Sequence, residues 1–310
     1  MALIVVSPGL CATVQDLGRP GYREWGVPVA GAFDRGSYAL ANALLGNEAG
    51  AAAVELTLVG GVYEAEVALG IALAGATMEA TIERPDGSRH ALSVPQTVSL
   101  KPGDRLALGS TLRGARCYLA VKGGWQTPRV LGSRSSEVRL QPGEILPAEP
   151  STTLVRRLVE SPFPGLEDEP VRIVDGPDAR RGFDPRIWES RTFRVGSQSD
   201  RMGLRLEGDP LAVKAEPERV SMPVAPGAVQ VAGGQLISLG VSCGTMGGYP
   251  HVAQVISADL DRLGQARPGD LLFFQRIDLR EARQRDRDSR RERSARLLRT
   301  AAIAGDLAEN

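Results

Sequence analysis

A turn motif, Pro-Gly followed by an acid, occurs three times in the sequence and each time leads directly into an apolar run. The copies are KPGDRLALG (101–109), QPGEILPAE (141–149) and RPGDLLFFQ (267–275). Glycine at the third position of a type II turn supplies the positive φ that this turn requires. The segment TIERPDGSRHALSV (81–94) carries the Pro-Asp-Gly sequence of a hairpin turn. These segments predict a mostly β protein with many short strands.

Few segments have the periodicity of a helix. Residues 34–47 place apolar side chains at helical spacing with Asp34 as a plausible N-cap, and residues 256–265 are a shorter candidate. Beyond Phe274 the sequence becomes rich in arginine and acids, which predicts a solvated helix or a frayed tail. Because arginines and acids can pair within a helix, a solvated helix is favoured over a segment that docks on a partner.

The predicted domain organisation has two related halves. Pro, Ser, Thr and acids concentrate at 147–169, which predicts a linker. Each half ends in a Pro-Gly-acid strand, so the simplest interpretation is two barrel-like β units with a few short helices. We predict an N-terminal β-barrel half (1–150), a C-terminal half (165–280) and a charged C-terminal helix or tail (281–310).

Composition removes several classes of function. The 310 residues carry 37 basic and 37 acidic side chains, so the overall charge gives no reason to expect a nucleic acid or a membrane as partner. No run approaches the roughly 20 apolar residues of a membrane helix, and MALIVVSPG resembles a first strand more than a signal peptide. The three cysteines form no CxxC pair, so we expect no disulfide framework, no metal site and a cytoplasmic location.

Four glycine-bearing polar clusters are candidates for chemistry. They are residues 12–34, 121–137, 196–208 and 241–260. Each has a purely structural alternative: a hydrophilic loop between two strands for the first cluster, a serine-capped loop for GSRSS in the second, an Asx-type turn with an Asp-Arg pair in the third, and a plain turn in the fourth. His251, just after the fourth turn, is a weaker candidate for an acid or base.

Familiar catalytic signatures are missing from the sequence. Two histidines are too few for a histidine metal site, and the sequence contains neither a GxSxG elbow nor a GxxxxGK[ST] phosphate loop. Lys122 is the best single cation, because it follows the apolar run CYLAV and precedes Gly-Gly.

Taken together and in order, the clusters resemble one family. The motifs include TVQDLGRPGY (13–22), GVPVAGAFDRGS (26–37), VLGSRS (130–135), SQSDRMGLRLEG (197–208), PGAVQV (226–231) and GGYP (247–250). They resemble the biotin-dependent carboxyltransferase domain of allophanate hydrolase subunit 2, urea carboxylase, the C-type subunit of 5-oxoprolinase and the antagonist of the sporulation-kinase inhibitor. The resemblance covers about residues 3–280 and implies cyclophilin-like β-barrels.

The resemblance also implies a function in a complex. The first expectation is the C-type subunit of an ATP-dependent 5-oxoprolinase, which opens 5-oxoproline to glutamate together with a sister subunit, with or without a third subunit. The alternatives are a non-catalytic regulatory module that sequesters a sister-domain kinase inhibitor, and a urea or amide carboxyltransferase subunit that uses carboxybiotin. No biotinyl-lysine motif is present, so we expect no cofactor on this chain alone and ATP or carboxybiotin at the level of the complex.

Site residues follow from motif position within the resemblance, because carboxyl transfer and lactam opening both need cations and hydrogen-bond donors around a developing oxyanion. The expected catalytic residues are Arg19, Lys122, Asp200 and Arg201. The expected substrate-binding residues are Gln15, Asp16, Asp34, Ser133, Arg134, Gln198, Ser199, Thr245, Gly247, Gly248 and Tyr249.

Two segments depart from the family pattern. Residues 242–246 read Ser-Cys-Gly-Thr-Met, where the family commonly has an acid, a cation and an amide. The segment 136–142 passes directly from GSRS to the Pro-Gly-acid turn, where a longer glycine-rich loop is usual. Both segments are expected to line the site, so the departures favour the non-catalytic alternative.

Overall fold

A computed structural model gives the architecture of the chain. It describes residues 2–158, 166, 168–180, 184–211 and 219–305. The chain divides into two compact units: the first comprises Met1–Gly18, Asp34–Pro162 and Arg293–Asn310, and the second comprises Arg19–Phe33 and Phe163–Glu292.

The division differs from the predicted halves at Arg19–Phe33, which belongs to the second unit although it lies within the predicted N-terminal half. Hydrogen bonds explain this assignment. The Arg201 guanidinium donates to the carbonyl of Gly31 at 2.7 Å, and the Arg23 guanidinium donates to the carbonyl of Val224. Part of the predicted linker 147–169 is ordered as a short strand, whereas 159–165 and 167 lie outside the described residues.

The first unit is built on a ten-stranded sheet. Its strands are β1 (Leu3–Ser7), β2 (Cys11–Gln15), β3 (Ala53–Thr57), β4 (Val59–Ala65), β5 (Leu69–Glu83), β6 (Arg89–Leu92), β7 (Gln96–Leu100), β8 (Arg105–Val121), β9 (Ile145–Leu146) and β10 (Arg156–Arg157). The main path is β10-β7-β5-β8-β4-β1-β9; β3 joins β2 to β8, and β6 pairs with β5. The long strands β5 and β8 pair antiparallel along most of their length, and the fully buried Tyr63 and Trp125 lie in the core.

One helix of the first unit matches its prediction closely. Helix α1 (Arg35–Leu44) begins after Asp34, whose carboxylate accepts the backbone N–H of Ser37 at 2.9 Å. This N-cap satisfies a donor that the first turn of a helix leaves free. The helix buries Leu40 and Leu44, as the apolar spacing predicted.

The second unit contains a closed barrel and a separate ribbon. Its strands are β11 (Val171–Asp175), β12 (Thr192–Val195), β13 (Gly203–Glu207), β14 (Met222–Pro223), β15 (Ala228–Ala232), β16 (Gln235–Leu239), β17 (Met246–Gly247), β18 (His251–Val255) and β19 (Leu271–Arg276). The barrel order is β11-β18-β15-β16-β13-β12-β19, and the ribbon pairs β14 with β17. Short helices α2 (Ile187–Ser190) and α3 (Leu260–Gly264) and two 3₁₀ turns (Arg23–Trp25 and Ser257–Asp259) complete the unit. The mostly β class is confirmed, and barrel closure is found in this unit.

The Pro-Gly-acid turns are confirmed, since all three glycines have positive φ: 84° at Gly103, 83° at Gly143 and 93° at Gly269. In each copy the acid accepts the backbone N–H of the residue three positions earlier. The pairs are Lys101–Asp104 at 2.8 Å, Gln141–Glu144 at 3.0 Å and Arg267–Asp270 at 2.8 Å. The repeated sequence therefore encodes one repeated turn geometry, each time at the start of a strand.

The charged C-terminal segment forms helix α4 (Leu279–Gly305). Arg285 pairs with Glu281 at 2.8 Å and Arg290 pairs with Asp286 at 3.0 Å, both with i,i+4 spacing. Such exposed pairs stabilise a helix slightly. Within the described residues, no helix is long and apolar enough to span a membrane.

Candidate functional site

Two predicted site residues of the first unit, Ser133 and Arg134, contact a third, Asp16, just after strand β2. One carboxylate oxygen accepts the hydroxyls of Ser133 and Ser135, both at 2.6 Å, and the backbone N–H of Gly18 at 2.8 Å. The other oxygen accepts the backbone N–H of Arg134 at 2.6 Å. Asp16 therefore joins the opening cluster to the GSRSS segment across more than a hundred residues of sequence.

These bonds decide the charge state of Asp16. Burial alone raises the pKa of its carboxyl group, but the hydrogen bonds from Ser133, Ser135 and the two backbone N–H groups outweigh burial, so the pKa lies below the ordinary 3.8. Asp16 is therefore a carboxylate at neutral pH with its acceptors engaged inside the protein. This geometry shows that Asp16 holds the loop that carries Ser133 in place. Direct contact between Asp16 and a substrate stays a prediction.

The neighbours Gln15 and Arg134 are also engaged within the loop. The Gln15 amide nitrogen donates to the Thr13 hydroxyl at 3.0 Å and to the carbonyl of Ser136 at 2.8 Å. The Arg134 guanidinium donates to the carbonyl of Thr127 and, at 2.8 Å, to the side chain of Gln126. The second cluster is thus held both by Asp16 and Gln15 of the opening cluster and by its own Arg134.

Lys122 and Asp34 do not join the Asp16 group. Lys122 is exposed, and its ammonium lies 3.4 Å from the carbonyl of Thr152. Asp34 is fully buried as the N-cap of α1, where its second oxygen accepts the Ser37 hydroxyl at 2.5 Å. The capping role of Asp34 accounts for its burial, and a substrate-binding role stays a prediction.

A buried polar network next to this cap was not predicted. Glu55 on β3 accepts the Tyr118 hydroxyl at 2.7 Å and pairs with Arg116 on β8 at 3.3 Å. The Tyr118 hydroxyl in turn accepts the backbone N–H of Asp34 at 2.8 Å. Glu55 and Arg116 are only 1% and 4% exposed. Nothing in the local sequence marks them, because they meet only through strand register.

In the second unit, Asp200 closes an Asx-type turn. Its carboxylate accepts the backbone N–H groups of Met202 at 2.8 Å and Gly203 at 3.2 Å, at the start of β13. The Ser199 hydroxyl accepts the backbone N–H of Arg205 at 3.0 Å, and Gln198 is exposed beside them. The SQSD segment therefore forms the turn that its structural alternative proposed, while the Asp200 side chain stays exposed.

The expected catalytic arginines of this unit hold the segment Arg19–Phe33. Buried Arg201 donates to the carbonyl of Gly31 at 2.7 Å, and the backbone N–H of Arg19 donates to the carbonyl of Val29 at 2.8 Å. Gly240 lies against Phe33, because a Cβ at position 240 would come 3.1 Å from that ring. Arg201 thus positions the opening segment against the barrel.

A cavity of about 350 Å³ opens beside the fourth cluster. Its polar lining comes from Asp200, Arg205, Gln230, Cys243 and Tyr249. Its apolar lining comes from Met202, Val224, Ile237, Leu239 and Met246, and Gly203, Gly244, Gly247 and Gly248 complete the wall. A pocket with apolar walls and a few convergent polar groups is the usual form of a small-molecule site.

The altered segment 242–246 contributes directly to this cavity. Burial raises the pKa of the Cys243 thiol, so the thiol is neutral at neutral pH. Thr245 is buried, and its carbonyl accepts the backbone N–H of Val224 at 3.0 Å, which ties the segment to the ribbon. The wall formed by Cys243 and Met246 is therefore uncharged.

His251 lies outside the cavity lining and is linked to a buried ion pair. Its backbone N–H donates to Asp178 at 2.8 Å, and Asp178 pairs with Arg219 at 2.5 Å. Burial lowers the pKa of the His251 imidazole below 6.5, so the ring is neutral at neutral pH. Its Nε2 is buried without a hydrogen-bond partner among the described residues.

Comparison with known proteins decides the family. A sequence model of the carboxyltransferase domain, subdomain A and B, matches residues 25–276. The chain belongs to this family.

Relatives of this carboxyltransferase domain include the C-type subunit of 5-oxoprolinase from Escherichia coli (strain K12), which is 34% identical over 305 residues that cover 93% of this chain and 96% of the relative. The crystal structure of TTHA0988 matches with a TM-score of 0.76 at 34% identity, over 88% of this chain and 56% of that chain. The crystal structure of the K. lactis urea amidolyase matches with a TM-score of 0.80 at 26% identity, over 94% of this chain and 20% of that chain. The resemblance inferred from the motifs is confirmed.

Within the carboxyltransferase domain, seven of the expected site residues fall into two groups. Asp16, Ser133 and Arg134 meet in the first unit. Asp200, Gly247, Gly248 and Tyr249 line one cavity in the second unit. Two further lining residues, Arg205 and Gln230, were not predicted. Gln230 stands in the motif PGAVQV, so the motif could have pointed to it. A polar residue between two valines in a strand, however, is usually exposed to solvent.

Proposed function

We propose that this chain is the C-type subunit of an ATP-dependent 5-oxoprolinase and acts with a sister subunit to open 5-oxoproline to glutamate. The observation that carries the proposal is the 34% identity to the C-type subunit of a 5-oxoprolinase over nearly the full length of both proteins. The sequence has no GxxxxGK[ST] loop, so the proposal assigns ATP to a partner subunit.

The cavity beside the GGYP turn supports this proposal through its chemistry. 5-Oxoproline carries one carboxylate and one lactam on a small ring. Arg205 offers a guanidinium suited to the carboxylate, and apolar groups such as Ile237 suit the ring. In the proposal this chain binds and orients the lactam, and Tyr249 offers a hydroxyl donor to the oxygen at which charge develops.

A second candidate is a binding module that regulates a sister-domain protein without catalysis. The observation that favours it is the uncharged wall at 242–246, where Cys243 and Met246 replace polar groups usual in the family. Fewer charged groups around a reacting carbonyl mean weaker stabilisation of its oxyanion. The two candidates share the fold and differ in turnover.

A reconstitution experiment separates the two candidates. The full chain is copurified with the products of neighbouring genes, and ATP-dependent consumption of 5-oxoproline is measured with and without this chain. Turnover that is lost when this chain is omitted supports the enzyme. A stable complex that consumes no 5-oxoproline supports the regulatory module.

A pair of arginine variants tests the cavity within the same assay. Arg205→Ala removes the cation from the lining, and we expect KM for 5-oxoproline to rise about tenfold or more, as for loss of a hydrogen-bonded charge. Arg89→Ala, in the exposed hairpin, removes an arginine whose ion pair with Glu83 lies at the surface. Equal KM values in both variants would place the substrate elsewhere.

A further inference from the structure

The side chain of Gln230 is a buried amide on the outer face of the barrel. It lies on β15 between Val229 and Val231, which both pack into the barrel core. Successive side chains of a strand point to opposite faces, so Gln230 points away from that core. It is nevertheless only 3% exposed. The register of β15 against β18 also shifts between Val229 and Gln230, and such irregularities redirect side chains next to functional sites.

The glycine at position 247 makes room for this amide. A Cβ at Gly247 would lie 2.7 Å from the Gln230 amide nitrogen and 3.0 Å from a methyl of Val224. By contrast, a Cβ at Gly248 would meet only the Ser221 hydroxyl, at an ordinary 3.5 Å. The ribbon of β14 and β17 thus covers Gln230 closely, and a side chain at 247 would have to push the Gln230 amide aside.

The hydrogen bonds of Gln230 are incomplete within the protein. An amide side chain has two donors on nitrogen and two acceptor sites on oxygen. The nitrogen donates one long bond, 3.3 Å, to the carbonyl of Tyr249. The oxygen accepts no hydrogen bond from the described residues, and both residues line the cavity. Because Gln230 lines the cavity, these acceptor sites are open to a ligand, and one hydrogen bond to them contributes about 0.5–1.5 kcal/mol.

We propose that Gln230 recognises the lactam of the ligand through a paired amide–amide contact. In this contact the Gln230 oxygen accepts the lactam N–H, and the Gln230 nitrogen donates to the lactam carbonyl. A lactam presents both groups on one side because its ring holds the amide cis, and a urea does the same. The inference rests on the proposed function for its ligand class and adds the residue that selects for an amide.

Direct binding to the full chain tests this contact without turnover. Isothermal titration compares 5-oxoproline with two analogues of the same ring: N-methyl-5-oxoproline, which lacks the N–H, and proline, which has a protonated amine and no ring carbonyl in place of the amide. We expect 5-oxoproline to bind at least about tenfold more tightly than either analogue, as loss of one or two buried hydrogen bonds implies.

Two variants remove the contact from the protein side. Gln230→Met keeps the volume and removes both polar groups, and we expect it to abolish the preference for 5-oxoproline over the N-methyl analogue. Gly247→Ala displaces the amide through its Cβ and should have the same effect. Gly50→Ala is the matched control, because its Cβ meets nothing closer than 4.0 Å. Circular dichroism and hydrogen exchange verify that each variant is folded.

The outcomes distinguish this inference from the proposed function. A folded Gln230→Met chain that keeps the wild-type preference overturns the contact, and so does a wild-type chain that binds no lactam at millimolar concentration. Should Gln230→Met misfold, Gly247→Ala and the analogue series decide. The turnover assay of the complex judges the function separately, since a complex active with Gln230→Met retains the function and refutes the contact.

Discussion

Replacing Asp16 tests whether this carboxylate holds the loop of the first unit. In Asp16→Ala the two hydroxyls, Ser133 and Ser135, can rotate toward other acceptors, whereas the backbone N–H groups of Gly18 and Arg134 cannot. Both N–H groups are partly buried, so each costs about 1 kcal/mol, the lower end of the range for a buried unpaired donor, and the expected loss in the free energy of unfolding is about 2 kcal/mol. Asp16→Asn keeps one oxygen but turns its NH₂ toward an N–H donor, so we expect about half that loss.

Urea unfolding measures this loss, and hydrogen exchange at the amides of Gly18 and Arg134 locates it. Asp86→Ala is the control, because Asp86 accepts the backbone N–H of Ser88 in an exposed hairpin turn. Since folding lowers the pKa of Asp16, its contribution is present above the ordinary pKa of 3.8 and is lost as the pH falls further. Unchanged amide protection and an unchanged urea midpoint in Asp16→Ala would refute the reasoning.

Two further predictions concern the buried Glu55–Arg116 ion pair and the reactivity of the three cysteine thiols. Glu55→Gln should lower the free energy of unfolding by about 3 kcal/mol, because Arg116 then keeps a buried charge beside a neutral amide; a wild-type urea midpoint would contradict this. With a disulfide reagent near neutral pH, half-buried Cys11 should react much faster than Cys117 and Cys243, whose thiols have pKa values raised by burial, to about 12 for Cys117. Three equally fast thiols would show that the buried sites open readily.

Local turn chemistry made much of the fold predictable. Pro-Gly-acid segments need positive φ at the glycine wherever they occur, and Gly103 and Gly269 have it in both units. The N-cap at Asp34 was predictable for the same reason, because its partner Ser37 lies three residues away. The assignment of Arg19–Phe33 to the second unit was not predictable. It depends on hydrogen bonds such as that from Arg201 to Gly31, which joins residues 170 positions apart.

The candidate site was predictable where sequence motifs carry side chains that meet. Asp16 and Ser133 were both named from their motifs, and they form a direct hydrogen bond. Gln230 was missed because its burial depends on a ribbon from elsewhere in the chain, whose Gly247 lies close to the Gln230 amide. A polar residue that alternates with valines in a strand is expected to be exposed to solvent. Gln230 is buried only because the β14–β17 ribbon packs over it in the folded chain.

The altered segment and the intact amide together determine what ligand the cavity can select. Cys243 is a neutral thiol and Met246 is apolar, so this wall supplies no charge to balance a second anionic group. A neutral amide is cheaper to desolvate there than a carboxylate is, and Gln230 offers it a partner. In the proposed function, an enzyme subunit binds its lactam through Gln230 with the carboxylate held at Arg205, two side chains that line the same cavity. A regulatory module has no such requirement, so a preference for the lactam over its N-methyl analogue favours the enzyme, and the turnover assay of the complex decides between the two functions.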